Sequence, residues 1–99
     1  MNYKVLFRAE AEEELLEAVG WYEDRMKGLG SAFLLSIEAA IDSISRNPES
    51  YPKIYKNIRR ALIRRFPFGI CYFVEKNRVI VLAVFHVHRN PKEWKKRIS

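Results

Sequence analysis

One cysteine among 99 residues excludes an internal disulfide, and no paired-cysteine spacing is present to hold zinc. Cys71 sits in an apolar run and reads as a small buried hydrophobe. Glycine and proline number four each, too few for a linker or a fibrous repeat. Gly28 and Gly30 fall between two helical patterns, so no glycine-rich loop is placed to cradle phosphates. The longest apolar run, Val79 to Phe85, is too short to cross a membrane. Met1-Asn2-Tyr3-Lys4 lacks the apolar core of a signal peptide. These absences lead to the expectation of a cytoplasmic protein with no metal and no cofactor. Acidic residues are scarce in one half only. Residues 51–99 carry 13 Lys/Arg and 2 Asp/Glu, whereas residues 1–50 carry 5 and 10, leaving a net charge of +6. That asymmetry points to an anionic partner for the second half.

What is present suits a folded domain. A chain 48% hydrophobic and 30% charged is an ordinary globular mix. At this length roughly two-thirds of the unfolded surface is buried on folding, so residues 1–99 are expected to form one domain. Tyr3 to Phe7 reads as a strand, with Tyr3, Val5 and Phe7 on one face. Ala9 to about Lys27 reads as a helix whose stripe is Leu15, Val19, Tyr22 and Met26. Its acidic start, Glu10 to Glu14, complements the helix dipole and reads as a solvated face. Gly28 offers a cap. A second helix runs from Gly30 or Ser31 to Arg46, burying Phe33, Ile37, Ala40, Ile41 and Ile44, and Asn47-Pro48 ends it.

After a connector, Pro48 to Lys56, the pattern turns to strands. These are Ile58 to Phe66, Phe68 to Glu75 and Val79 to about Val87, with turns at Pro67 and Lys76-Asn77. Asn90-Pro91 ends the last strand, whose unbroken apolar run predicts an interior position in the sheet. Lys92 to Ile98 is expected to form a basic helical tail. The expected fold is therefore α+β, in the order β-α-α-β-β-β, with a helical hairpin packed on a mainly antiparallel four-stranded sheet. The strand after the hairpin is expected to return beside the first.

Several segments together resemble the RelE/ParE family of toxins from type II toxin–antitoxin systems. They are Trp21-Tyr22-Glu23 with Gly28-Leu29-Gly30 and Phe33, Ile44 through Pro52, Ile58 through Phe68, and Val81 through Pro91 with Trp94. The ordered set spans nearly the whole chain. The resemblance implies a toxin that arrests growth and stabilises plasmids, held inactive by a cognate antitoxin with an acidic amphipathic C-terminal segment. It implies one of two targets: DNA gyrase for ParE-like members, or mRNA in the ribosome for RelE-like members, which are endonucleases.

Ribonucleolytic chemistry needs a base, an acid and cations on the phosphate. His86, His88 and Arg89 are the candidate catalytic residues, the histidines sharing a face if the strand runs through them. Arg59, Arg60, Arg64 and Arg65 are candidates for binding the target or the antitoxin. In an unbroken strand Arg60 and Arg64 face one way and Arg59 and Arg65 the other, and the inward pair would snorkel or meet acidic residues of the first helix. Tyr51 and Tyr55, as exposed aromatics of the connector, join them, while Trp21 and Tyr22 read as core. Two departures favour the gyrase-poison reading. Phe68 and Gly69 stand where RelE-like nucleases tend to carry an arginine, and no tyrosine ends the chain.

Overall fold

The computed structural model describes residues 2–89 and Lys95. The expected strand end at Asn90-Pro91 and, apart from Lys95, the expected tail with Trp94 lie outside the described residues. The chain forms β1 (Lys4–Phe7), α1 (Ala9–Arg25), α2 (Leu29–Arg46), a 3-10 turn (Pro48–Ser50), β2 (Lys53–Tyr55), β3 (Ile58–Leu62), β4 (Phe68–Glu75) and β5 (Arg78–His86). Among the described residues the sheet has five strands, in the order β1-β5-β4-β3-β2, not four. The added strand, β2, lies in the connector beside β3. It is three residues long and at the sheet edge, too short to show an alternating pattern. The neighbour of β1 is β5, in parallel, and not the strand that follows the hairpin. The other pairings are antiparallel.

The helices form because their apolar residues recur at helical spacing. Phe33, Ile37 and Ile44 of α2 are buried against Ala61, Ile70, Val79 and Val81 of the sheet. On α1 the buried positions are Ala11, Ala18 and Tyr22, while Met26, expected in the stripe, is 60% exposed because α1 has already ended at Arg25. The hairpin between them is tight. Gly28 has φ 89°, a left-handed conformation that glycine adopts without steric penalty. Glu23 then accepts the N–H of Gly28 (2.9 Å) and of Gly30 (3.0 Å), satisfying amide donors at the start of α2. Glu14 is not merely solvated: its Oε1 accepts the N–H of Val84 (3.0 Å), a β5 donor beyond the end of the short β1.

Strand β5 is covered on both faces, as its apolar run predicts. A β-bulge breaks the register between Cys71 and Tyr72, so that Leu82 is the extra residue on β5. Val79, Val81 and Val84 therefore join the core under the helices, while Leu82, Ala83 and Phe85 join Ile58 and Cys71 in a second cluster. In the first core, Tyr72 donates its hydroxyl to the carbonyl of Pro48, pinning the connector to β4.

Strand β3 stops at Leu62 rather than Phe66. The N–H of Ile63 donates to the Phe68 carbonyl (3.1 Å), and the chain then turns through Arg64–Pro67, with Arg65 at φ 73°. Pro67 has no N–H to continue a ladder. The expected alternation of Arg60 with Arg64 and of Arg59 with Arg65 is thereby broken.

Candidate functional site: a basic end and a groove

The arginines of the β3 region part company. Arg59 faces the helical layer and donates from Nη1 to the carbonyls of Glu49 (3.1 Å) and Tyr51 (2.6 Å). These partners are connector carbonyls, not the acidic residues of α1, so Arg59 holds the connector in place. Arg60 stands opposite Cys71 in the sheet register, and its buried Nε has no hydrogen-bond partner among the described residues. Arg64 and Arg65 are exposed in the loop.

Arg64 and Arg65 flank a groove of about 480 Å³ between α2 and the end of β3. Its walls include Ala32, Ser36 and Ala39, side chains small enough to let another backbone come close, together with Leu35 and Leu62. Leu35 is 67% and Leu62 57% exposed, so two large apolar side chains border the groove uncovered. A second groove of about 450 Å³ lies between β1 and α2, but Glu38 and Asp42 line it. The two grooves thus differ in the sign of their charge.

Tyr51 and Tyr55, expected as an exposed pair, are half-buried and separate. Tyr51 packs on the core under the helices, borders the first groove and shares a 2.7 Å hydrogen bond with the Ser43 hydroxyl. Tyr55 packs on the second cluster, with the ammonium groups of Lys56 and Lys95 at 5.2 and 5.1 Å from its ring centre.

His86 is the last residue of β5, and His88 and Arg89 follow in a turn, so the expected strand face does not extend to His88. The two imidazoles are still neighbours, with centroids 5.9 Å apart. His86 packs edge-on against Phe68 at 5.2 Å. Its Nδ1 accepts two backbone donors, the N–H of His88 and of Arg89, each at 3.1 Å. Burial lowers its pKa, and electrostatic repulsion from Arg89 and His88 pushes the same way. The neutral ring consequently carries its proton on Nε2. It can donate a hydrogen bond, but its one lone pair is already engaged.

Trp21 lies at this end too. Tyr22 is in the core as expected, whereas Trp21 is 40% exposed. Tyr22 stacks edge-on against Phe66 at 4.9 Å, which brings the C-terminal part of α1 to the loop that carries Arg64 and Arg65. The Arg25 guanidinium lies 4.2 Å and that of Arg89 5.3 Å from the Trp21 ring centre. Trp21, Arg25, Leu35 and Leu62 were not among the expected site residues. The four-residue spacing of Trp21 and Arg25 is the one signal that sequence offered for them.

The sequence model of a family described as "ParE toxin of type II toxin-antitoxin system, parDE" matches residues 5–91. The chain is similar to Toxin ParE2 of Mycobacterium tuberculosis, at 26% identity over 89 residues, covering 89% of this chain and 85% of that protein. Among solved structures, the fold is similar to a chain of the chromosomal ParDE system from P. aeruginosa. The TM-score is 0.75 at 12% identity, over 85% of this chain and 95% of that one. It is also similar to a chain of the RelBE2 toxin-antitoxin complex from Mycobacterium tuberculosis, with a TM-score of 0.63 at 20% identity, over 87% and 99% of the two chains. No helix among the described residues is long and apolar enough to cross a membrane.

Proposed function

Because the chain belongs to the family of ParE toxins from type II toxin–antitoxin systems, we propose that it arrests growth by poisoning DNA gyrase and is neutralised by a cognate antitoxin. The observation that carries the choice of target is the state of His86. A nuclease that uses His86 as its general base needs a nitrogen lone pair open to the attacking hydroxyl. Here Nδ1 accepts two backbone donors and the ring is held neutral, so His86 organises the turn that follows β5. That is a positioning task, and it leaves the basic end for binding rather than proton transfer. Among the described residues, His88, exposed beside Arg89, favours the alternative of a ribosome-dependent mRNA endonuclease.

For the antitoxin, charge selects the groove between α2 and β3. An acidic amphipathic segment lays its apolar anchors on Leu35 and Leu62 and its carboxylates on Arg64 and Arg65. The groove lined by Glu38 and Asp42 repels the same segment.

Gyrase supercoiling measured with the purified chain tests the target. Inhibition is expected, relieved by the antitoxin encoded beside the toxin, with no mRNA cut in a translating extract. Undisturbed supercoiling at every stoichiometry, together with cut mRNA, would overturn the reading.

A further inference from the structure

We propose that Trp21, Arg25 and Arg89 form a clamp for the phosphodiester backbone of nucleic acid. Two guanidinium groups from distant parts of the chain, the last turn of α1 and the segment after β5, converge on one half-exposed indole, at 4.2 and 5.3 Å from its centre. Like charges drawn together favour an anionic partner, and among the described residues neither Arg25 nor Arg89 makes an ion pair. The ion pairs among the described residues are Arg46–Asp42 and Arg78–Glu75, both elsewhere. The nearby carboxylate of Glu23 is occupied by the N–H groups of Gly28 and Gly30, and Asp24 makes no ion pair among the described residues.

A guanidinium stacked on an aromatic ring keeps its N–H donors in its own plane, pointing outward, where they match the oxygens of a phosphate. The ring also holds the cation still before the ligand arrives, which lowers the ordering cost of binding. Further cations lie on the neighbouring loop. The N–H of Val87 donates to the Pro67 carbonyl (2.9 Å), tying the segment that bears His88 and Arg89 to the loop that bears Arg64 and Arg65. A row of cations matches a polymer with one charge per unit. An acidic protein segment, by contrast, needs apolar anchors among its charges, and the pair that suits it, Leu35 and Leu62, lines the groove with Arg64 and Arg65, to which Trp21, Arg25 and Arg89 do not contribute.

The inference rests on the proposed function in one respect: a gyrase complex contains DNA, so the clamp names what the toxin grips there. Binding is measured without gyrase, which keeps failure of the clamp distinct from failure of the target assignment. Fluorescence anisotropy of the full chain with labelled duplex DNA, and separately with single-stranded RNA, is followed over a salt series. Arg25→Gln with Arg89→Gln should weaken binding roughly tenfold and flatten the salt slope by about one for each phosphate no longer neutralised. Trp21→Leu, which changes no charge, should reproduce part of the loss. Arg46→Gln with Arg78→Gln removes the same charge from paired positions and should cost about twofold at most. Circular dichroism establishes that each variant is folded. The clamp is refuted if its double variant behaves like the charge-matched control. It is equally refuted if the protein binds neither nucleic acid but holds polyglutamate in a clamp-dependent way.

Discussion

Two glycines ten positions apart should respond to the same substitution with opposite signs. Gly20 lies exposed in the interior of α1, and a Cβ built there meets nothing within 4 Å. Replacing glycine by alanine in such a helix position stabilises by about 0.5–1 kcal/mol, because alanine loses less backbone entropy. In a domain of this size that raises Tm by roughly 3–6 °C. Gly30 is also helical, in the first turn of α2, and gains the same propensity term. There, however, a Cβ falls 2.7 Å from the carbonyl oxygen of Val19 and 3.0 Å from both Cβ and Oε1 of Glu23. The carbonyl belongs to the backbone of α1 and cannot rotate away, so the two helices must separate. Overpacking of this kind costs about 1–3 kcal/mol, and moving Glu23 also loosens the two hydrogen bonds that cap α2. Gly30→Ala should therefore lose about 1–2 kcal/mol net, seen as a lower urea midpoint with an unchanged slope. Thermal and urea melts of both variants beside the parent decide it. If Gly30→Ala stabilises as Gly20→Ala does, the close approach of the helices is not the constraint at this position.

Burial pushes the pKa of Tyr72 up to about 12, with Arg59 pulling it down and Tyr51 adding to the rise. The fold therefore favours the neutral phenol, and this contribution is present below pH 10 and lost as pH rises from 10 towards 12. Tyr72→Phe should cost about 1 kcal/mol near neutrality, by leaving the Pro48 carbonyl unpaired, and should flatten the alkaline fall in urea-melt stability. Arg65→Gly should raise stability by about 1 kcal/mol, by relieving a left-handed residue with a Cβ. The same change should weaken antitoxin binding in calorimetry, and a gain in both would contradict the role given to this side chain. The lowered pKa of His86 means that its contribution is present above the ordinary value of 6.5 and lost as pH falls through the folded value. The protection of the His88 and Arg89 amides, taken relative to intrinsic exchange at each pH, should fall in acid, and His86→Asn, which can still accept both N–H groups through its amide oxygen, should abolish that fall.

The helices were the most legible part of the chain. Asn47-Pro48 stops α2 at Arg46, and Phe33, Ile37 and Ile44 are buried, as their spacing predicts. Periodicity states which face a residue takes but not which strand lies alongside, so the parallel union of β1 with β5 was out of its reach. Arg64 and Arg65 extend the apparent alternation of β3 to Phe66, but the chain needs those residues to turn before Pro67. Charge patterning picks out the basic half but does not separate Arg59, which binds the connector, from Arg64 and Arg65, which face solvent. The bulge at Leu82 shifts the alternation by one residue within an all-apolar run, where no change of residue type marks it.

The pairing of β1 with β5 sets a condition on synthesis. Lys4 is matched with Arg78 and Phe7 with Val81, so the first strand made waits for the last. Closing so long a loop precedes any gain from the contacts it permits. At translation speeds of about 5–20 residues per second, several seconds separate the two strands. During that interval the growing chain holds the helical hairpin without its complete sheet, and Arg89 has not yet reached the Trp21 ring. The proposed clamp, whose second guanidinium belongs to Arg89, is therefore assembled only when synthesis is nearly complete.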